Sequence, residues 1–273
     1  MQTHLTLRTL AGDERPNKDV QALFSTQPDG KALLFIHGFT GSPINTWADF
    51  HELLLECPKC ASRDVYFYGY DGLRAEMNSS AAIFREFLDR MLSHTDALLA
   101  ANLPTAAQRA AGFSYQELIV VAHSLGAVIA RRALLDATRA NQAWAPKIKL
   151  VLYAPAHKGA SVADLALESA STIPFLRLFG IGARFHSPLI DELKSESRSL
   201  KKLLADFEAA RQGGANSHLI ATRVILAELE RIVVNDSFGE DPAPVAIPGT
   251  THTTVCKPTR TSRHALVHLE SCL

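Results

Sequence analysis

Short apolar runs alternate along the chain with longer amphipathic segments. Well-defined runs lie at 32–36, 65–70, 118–121 and 147–154, and shorter ones at 222–226 and 244–248. Runs that are apolar at every position, such as 32–36 and 118–121, predict strands buried on both faces. Weak alternation over 3–9 predicts a further strand at the start of the chain.

Between these runs, apolar residues recur at helical spacing. They predict helices over 47–55, 81–99 and 262–269, and one that begins at Leu125. The spacing places Ile83 on the inward face of the second helix. It places Arg131 and Arg132 outside the inward face of the helix that begins at Leu125.

Strands that alternate with helices predict an α/β fold with a mostly parallel central sheet flanked by helices. A chain of 273 residues with 47% hydrophobic content is long enough for one large core. We therefore expect a single domain over 1–273. Residues 161–218 contain no apolar run typical of a strand, and we interpret them as a helical cap or lid inserted into that domain.

The charges balance, with 28 Lys and Arg against 28 Asp and Glu. Nothing in this balance indicates a nucleic-acid partner. No apolar run approaches the roughly 18 residues that a membrane span needs, and the first residues lack the pattern of a secretory signal. We expect a cytoplasmic protein that uses no cofactor and no metal.

Candidate chemistry begins at Ser124. The serine follows the apolar run 118–121 within Ala122-His-Ser-Leu-Gly126 and precedes a helix. Strand, sharp turn and helix with a serine at the apex form the context of a Gly-x-Ser-x-Gly nucleophile turn. Residues two before and two after the serine must be small there, and Ala122 and Gly126 are. We expect His123 to point away from the site.

Polar residues cluster just past the predicted strand ends, where ligands bind in parallel sheets. His252 is the histidine that follows the last strand, so it is the predicted base for Ser124. With a serine turn of this type, the acid comes between the serine and the histidine in sequence. Glu230, just past a strand end, is the favoured acid, and Asp236 is the alternative.

A tetrahedral intermediate also needs N–H donors for its oxyanion. The backbone N–H groups of Leu125, at the start of the helix, and of Phe39 are the candidates. His37 and Gly38 precede Phe39 at the end of a strand and are predicted to line the substrate site. A glycine there would let the backbone approach closely.

Five motifs occur in the order found in the lipase-like serine esterases of the α/β-hydrolase fold. They are Phe35-Ile-His-Gly-Phe-Thr-Gly-Ser-Pro-Ile-Asn-Thr-Trp47, Tyr68-Gly-Tyr-Asp71, Ala122-His-Ser-Leu-Gly126, Ala154-Pro-Ala-His-Lys-Gly159 and Thr251-His-Thr-Thr-Val-Cys-Lys257. The chain resembles this group over about 31–260. The group includes a phosphatidylglycerol-remodelling protein and, more distantly, GPI inositol-deacylases. The resemblance implies a triad of Ser124, Glu230 and His252.

The segment 173–185 of the expected cap is dense in large apolar residues. These side chains, Phe175 and Phe179 among them, either pack on the domain or form an apolar wall for an acyl chain. In the second case, Arg177 and Arg184 could bring the cap to a membrane surface.

Cys57 and Cys60 form an isolated C-x-x-C motif. It is interpretable as two ordinary reduced thiols, as half a metal site or as a redox pair.

The sequence thus predicts a serine hydrolase of carboxylic esters, acting on a small-molecule or lipid substrate through an acyl-enzyme on Ser124. Acyl transfer and thioester hydrolysis use the same residues and stay open. A member of another class, a lipid- or partner-binding module without activity, is the remaining alternative. The sequence leaves the oligomeric state open.

Overall fold

The computed structural model describes residues 3–11, 19–72, 76–161, 192, 197–212, 216–233 and 237–273. Its strands are β1 (Arg8–Thr9), β2 (Val20–Leu23), β3 (Lys31–Ile36), β4 (Asp64–Tyr68), β5 (Glu117–His123), β6 (Ile148–Tyr153), β7 (Arg223–Ala227) and β8 (Val245–Ile247). Its α-helices are α1 (Phe50–Glu56), α2 (Met77–Ser93), α3 (Thr95–Asn102), α4 (Leu125–Arg139), α5 (Arg198–Gln212) and α6 (His264–Glu270).

The described strands form one sheet in the order β1-β2-β4-β3-β5-β6-β7-β8. The strands from β4 to β8 in this order run parallel, whereas β2 runs antiparallel to β4 at one edge and β1 pairs antiparallel with β2. The predicted mostly parallel sheet is confirmed. The carboxyl ends of parallel strands lie on the same side of a sheet. The loops after β3, β5, β6, β7 and β8 therefore meet on that side.

The central strands are buried on both faces, as their apolar sequences require. In β3 every residue from Ala32 to Ile36 is 0% exposed. Phe35 stacks on Phe67 of β4 at 4.9 Å between ring centroids and meets the edge of Trp47 at 4.9 Å. This aromatic cluster lies beneath the loop that follows β3, so it gives that loop a rigid base.

The helices pack in two groups. α1 contacts α6, and α4 contacts both α2 and α5. From β3 the chain moves outward to β4, and from β4 it returns past β3 to β5. With right-handed crossovers, this reversal puts α1 and α2 on opposite faces of the sheet. The sheet is therefore covered on both sides, as the flanking helices in the sequence predicted.

Several local details differ from the sequence-based expectation. The helix predicted over 81–99 is two helices, α2 and α3, which meet at His94. Ile83 is 37% exposed, and Phe84 occupies the inward position instead. The strand β2 was not predicted, because its four residues carry too little pattern to identify.

Arg131 is the clearest departure, because it is fully buried rather than outside the inward face of α4. Its Nη2 donates to Asp241 Oδ2 at 2.5 Å, and its Nη1 donates to the Leu219 carbonyl oxygen at 2.7 Å. The guanidinium also lies 4.5 Å from the ring centroid of Phe238. These partners compensate its charge, so burial costs far less than for an unpaired arginine.

None of the helices in the described part of the chain combines the length and the apolar character that a membrane crossing requires.

Candidate active site

Ser124 occupies a sharp turn between β5 and α4. Its backbone has φ 52° and ψ −119°, outside the regions that non-glycine residues normally adopt. The Ser124 N–H donates to the Tyr153 carbonyl oxygen of β6 at 3.0 Å, and the next residue already begins α4. Such a conformation persists only where the surroundings enforce it, and strained positions of this kind cluster at functional sites.

Gly126 allows the tight contact that this turn needs. A Cβ at position 126 would lie 2.5 Å from the Ile36 carbonyl oxygen and would also collide with that of His37. Both obstacles are backbone atoms of β3 and its loop, which cannot rotate aside. The small residue required two positions after the serine is therefore a steric necessity here.

Three side chains from different loops form one hydrogen-bonded chain. The Ser124 hydroxyl lies 2.9 Å from His252 Nε2, and His252 Nδ1 lies 3.1 Å from each carboxylate oxygen of Glu230. A neutral imidazole with its proton on Nδ1 satisfies both contacts. It donates to the carboxylate and accepts from the hydroxyl. This is the arrangement that a serine nucleophile with a base and an orienting acid requires.

The carboxylate of Glu230 is fixed from two directions. Its side chain is fully buried, and Oε1 accepts the backbone N–H of Ile232 at 2.9 Å and of Val233 at 3.1 Å. Burial raises the pKa of Glu230. The hydrogen bond from His252, with the two N–H donors, outweighs burial and holds this pKa below its ordinary value. Glu230 is thus held as a carboxylate, the form that accepts a proton from His252 Nδ1.

The loops that carry the acid and the base are tied together. The Leu229 N–H donates to the Thr250 carbonyl oxygen at 3.0 Å, and the Gly249 N–H donates to the side chain of Glu228 at 2.8 Å. Next to His252, the Thr251 N–H donates to Thr254 Oγ1 at 2.8 Å, which begins a compact turn. These bonds fix the distance between the two loops before any substrate binds.

The loop after β3 passes directly beside the serine. A Cβ on Gly38 would lie 2.9 Å from Ser124 Cβ, so only a glycine permits this approach. The loop therefore brings the Phe39 backbone close to Ser124. Leu125 is the first residue of α4, where the N–H has no carbonyl partner within the helix. The two predicted oxyanion donors thus lie on the two backbone segments adjoining the serine hydroxyl.

His37 lies beneath this loop. It is 1% exposed, its Nδ1 lies 2.8 Å from the Gly38 carbonyl oxygen, and its Nε2 accepts the Tyr70 N–H at 3.3 Å. The Tyr70 ring stacks on it at 4.4 Å, and the Tyr70 hydroxyl donates to the His37 carbonyl oxygen. Burial lowers the pKa of His37 to about 4, which matches a neutral ring that donates from Nδ1 and accepts at Nε2. Its ring nitrogens therefore brace the loop.

Solved structures with the same architecture include a lipase, an esterase and a peroxisomal α/β-hydrolase. A lipase of Bacillus licheniformis, BlEst2 in its mature form, superimposes with a TM-score of 0.53 at 14% identity, covering 98% of this chain and 97% of that one. The chain has the α/β-hydrolase fold. Esterase B of Lactobacillus rhamnosis matches with a TM-score of 0.53 at 14% identity, over 98% of this chain and 84% of its own.

A third structure with the α/β-hydrolase fold is the peroxisomal hydrolase Lpx1 of Saccharomyces cerevisiae. It has a TM-score of 0.52 at 10% identity and covers 100% of this chain and 90% of its own length. No family model matches the sequence. No curated protein matches it either.

His123 has a place in this α/β-hydrolase site that the sequence did not predict. Its side chain is buried rather than directed away, and its Nε2–H donates to the His252 carbonyl oxygen at 2.9 Å. The two rings lie 5.0 Å apart. Burial, together with the neighbouring His252, holds the pKa of His123 well below its ordinary value, so the ring is neutral. Sequence spacing gives no signal for this contact, which joins the end of β5 to a loop 129 residues further along the chain.

Several predicted residues lie outside the described part of the chain. They are Asp236, Phe175, Phe179, Arg177 and Arg184. Of the segment predicted as a cap, the structure describes mainly α5. Phe207 of α5 lies under the Arg131 guanidinium at 5.3 Å, and Asp206 pairs with Arg132, so this helix packs on α4. Among the described residues, no group of three or more acidic, histidine or cysteine side chains could hold a metal ion.

Proposed function

We propose that the protein is a serine hydrolase that cleaves carboxylic esters of small-molecule or lipid substrates. The observation that carries the proposal is the continuous hydrogen-bonded chain from Ser124 through His252 to Glu230. The strained serine turn and the glycine-lined approach of the neighbouring loop support it. The α/β-hydrolase fold is compatible with many activities, so the argument depends on the site rather than on the fold.

The first half-reaction follows from the tautomer of His252. As Ser124 Oγ attacks the ester carbonyl, its proton moves to His252 Nε2, and the imidazolium that forms is stabilised by the carboxylate of Glu230. The same proton then passes to the leaving alcohol. The acyl group remains on Ser124, and water, activated by His252, releases it in the second half-reaction.

The negative oxygen of each tetrahedral intermediate needs donors that are already in place. The N–H groups of Phe39 and Leu125 fill this role in the proposal, and the N-terminus of α4 adds a favourable dipole. Donors of this type typically contribute about 3–4 kcal/mol each to barrier lowering. Because both are backbone groups, substitution of the side chains of Phe39 and Leu125 should change substrate fit more than the rate of chemistry.

Reaction with a fluorophosphonate probe tests the nucleophile directly. The proposal expects stoichiometric labelling of the protein on Ser124, identified by peptide mass spectrometry, and no labelling of Ser124→Ala. A folded protein that hydrolyses no ester and leaves Ser124 unlabelled would instead support a binding module without activity.

A pair of matched carboxyl-to-amide changes tests the acid. Glu230→Gln places an amide against His252 Nδ1 and removes the charge that stabilises the imidazolium. We expect kcat to fall by about 10³–10⁴-fold, as in other triads that lose the acid. Asp236→Asn should change kcat little. The opposite result for the two variants would move the assignment to Asp236.

A series of p-nitrophenyl esters from acetate to palmitate, with phospholipids beside it, would define the substrate class. If Phe175 and Phe179 form an acyl wall, their replacement by Ser should reduce palmitate turnover far more than acetate turnover. Equal losses would assign these residues to packing. Product analysis with an added alcohol separates hydrolysis from acyl transfer, because only transfer yields the new ester.

A further inference from the structure

Cys57 and Cys60 touch each other at the end of α1. Cys57 is the first residue after the helix, and Pro58–Cys60 form a single 3-10 turn. The Cys60 N–H donates to the Cys57 carbonyl oxygen at 3.0 Å, which fixes the turn. The two sulfur atoms lie 3.1 Å apart, and the Cys60 thiol donates to the Cys57 sulfur. Closing a disulfide from this arrangement needs a shortening of only about 1 Å.

The described surroundings of this pair do not complete a metal site. In the described ranges of the chain, no third histidine, cysteine or carboxylate completes a metal-binding group with it. The other two cysteines have their own neighbours. Cys256 lies 3.6 Å from the Thr46 carbonyl oxygen, and Cys272 lies 3.4 Å from that of His268. The two thiols therefore form a local pair that is separate from the other two cysteines.

The two sulfurs are not equivalent. The hydrogen bond from Cys60 lowers the pKa of Cys57 and outweighs burial and the nearby Glu270, which raise it. The same hydrogen bond and burial raise the pKa of Cys60. Cys57 is 4% exposed, whereas Cys60 is 0% exposed. Both residues are buried, but Cys57 retains some exposed surface and its thiol ionises first, so we assign Cys57 as the attacking thiol and Cys60 as the resolving thiol.

We propose that Cys57 and Cys60 form a redox site that exchanges reversibly with small disulfides of the glutathione class. The Cys57 thiolate attacks one sulfur of the disulfide, forms a mixed disulfide and releases one thiolate. Cys60 then loses its proton, and its sulfur attacks Cys57, releasing the second thiolate. Two protein thiols are oxidised to one disulfide, and the glutathione disulfide is reduced to two thiols.

This site is separate from the candidate active site. It precedes the amino end of β4, whereas Ser124 follows the carboxyl end of β5, and both strands are parallel to β3. The two sites therefore lie at opposite ends of the parallel strands. The proposal does not depend on ester hydrolysis, and Ser124→Ala should undergo the same exchange.

The test incubates the full-length chain with oxidised glutathione and analyses its intact mass after alkylation under denaturing conditions. Before alkylation we expect the mass to fall by two hydrogens. After alkylation the chain should carry two alkyl groups, on Cys256 and Cys272, instead of the four of the reduced chain, and dithiothreitol should reverse the change. A Cys256→Ser, Cys272→Ser double variant is the matched control and should form the same disulfide.

Single variants separate the two roles. Cys60→Ser should accumulate a stable glutathione adduct on Cys57, because the resolving thiol is absent. Cys57→Ser should leave Cys60 unmodified in the folded protein. A wild-type chain that keeps four thiols in fully oxidised glutathione, or that carries glutathione on both residues, would overturn the proposal. So would zinc bound stoichiometrically to the pair. The wild-type measurement decides the matter even where a variant fails to fold.

Discussion

Acid should destabilise this protein through His37, whose neutral ring braces the loop beside Ser124. The ring nitrogens pair with the Gly38 carbonyl oxygen and the Tyr70 N–H. Protonation would put a second N–H where Tyr70 already donates and would place a charge in an environment that is 1% exposed. The fold therefore selects the neutral form of His37, and the unfolded chain does not.

The magnitude follows from proton linkage. Burial lowers the pKa of His37 from 6.5 to about 4. Between these values the unfolded chain binds a proton that the folded chain does not, so the free energy of unfolding falls as the pH falls. For this one group the loss is about 2 kcal/mol between pH 8 and pH 5 and about 3 kcal/mol once the pH is below 4. This loss is a large share of the free energy of unfolding of a typical domain, which is roughly 5–15 kcal/mol.

Urea unfolding of the wild type and of His37→Asn at pH 8 and pH 5 measures the effect. Asn offers an N–H near the position of Nδ1 but does not titrate. We expect the variant to be less stable at pH 8 but to lose about 2 kcal/mol less than the wild type on going to pH 5. Titrating groups that do not interact with His37 cancel in this comparison. An identical pH dependence of the two proteins would refute the reasoning.

Three further substitutions test other parts of the fold. Gly126→Ala should lower stability by about 1–3 kcal/mol or more, because the new methyl group meets backbone oxygens, and it should also reduce activity. Asp241→Ala leaves the Arg131 charge buried and unpaired, and we expect a loss of about 3–5 kcal/mol in urea unfolding. His123→Leu removes the bond to the His252 carbonyl oxygen, and kcat should fall about tenfold at unchanged KM.

Each of these has a comparison. Gly112 has φ 78° and nothing within 4 Å of an added Cβ, so Gly112→Ala measures backbone strain without collision, whereas Gly126 lies in a helix and Gly126→Ala measures collision. Glu240→Ala removes an exposed partner of Arg211 and should change stability little. His123→Gln keeps a donor near the Nε2 position and should restore most of kcat. If His123→Gln and His123→Leu have the same kcat, the hydrogen bond from His123 does not contribute to catalysis and the side chain contributes only packing.

Local pattern was enough to predict the central strands and the serine turn. A β-branched apolar run such as 118–121 is buried on both faces in almost any context, and a small residue at 126 is needed wherever strand and helix meet at a serine. The alternation of strands with helices predicted the parallel sheet. It also predicted that the site residues lie together at the carboxyl ends of the strands. These inferences concern neighbours in sequence or general rules of topology, so they needed no coordinates.

Long-range contacts decided the rest. The sequence placed Arg131 outside the inward face of α4, because an arginine is buried only where a partner exists, and Asp241 is 110 residues away. His123 turns inward because its acceptor is the carbonyl oxygen of a residue on another loop. For the acid the sequence favoured Glu230 and left Asp236 open. The folded chain brings the Glu230 carboxylate to His252 and to the N–H groups of Ile232 and Val233.

The physical reason for this division is the range of the interactions. Hydrophobic periodicity and turn sterics act over a few residues and can be read directly from the chain. Hydrogen bonds and charge compensation in the interior require exact partners, and those partners come together only when the sheet forms. The sequence therefore determined the layers and the serine turn of this protein, and the tertiary structure decided which buried polar groups pair and how the site is held.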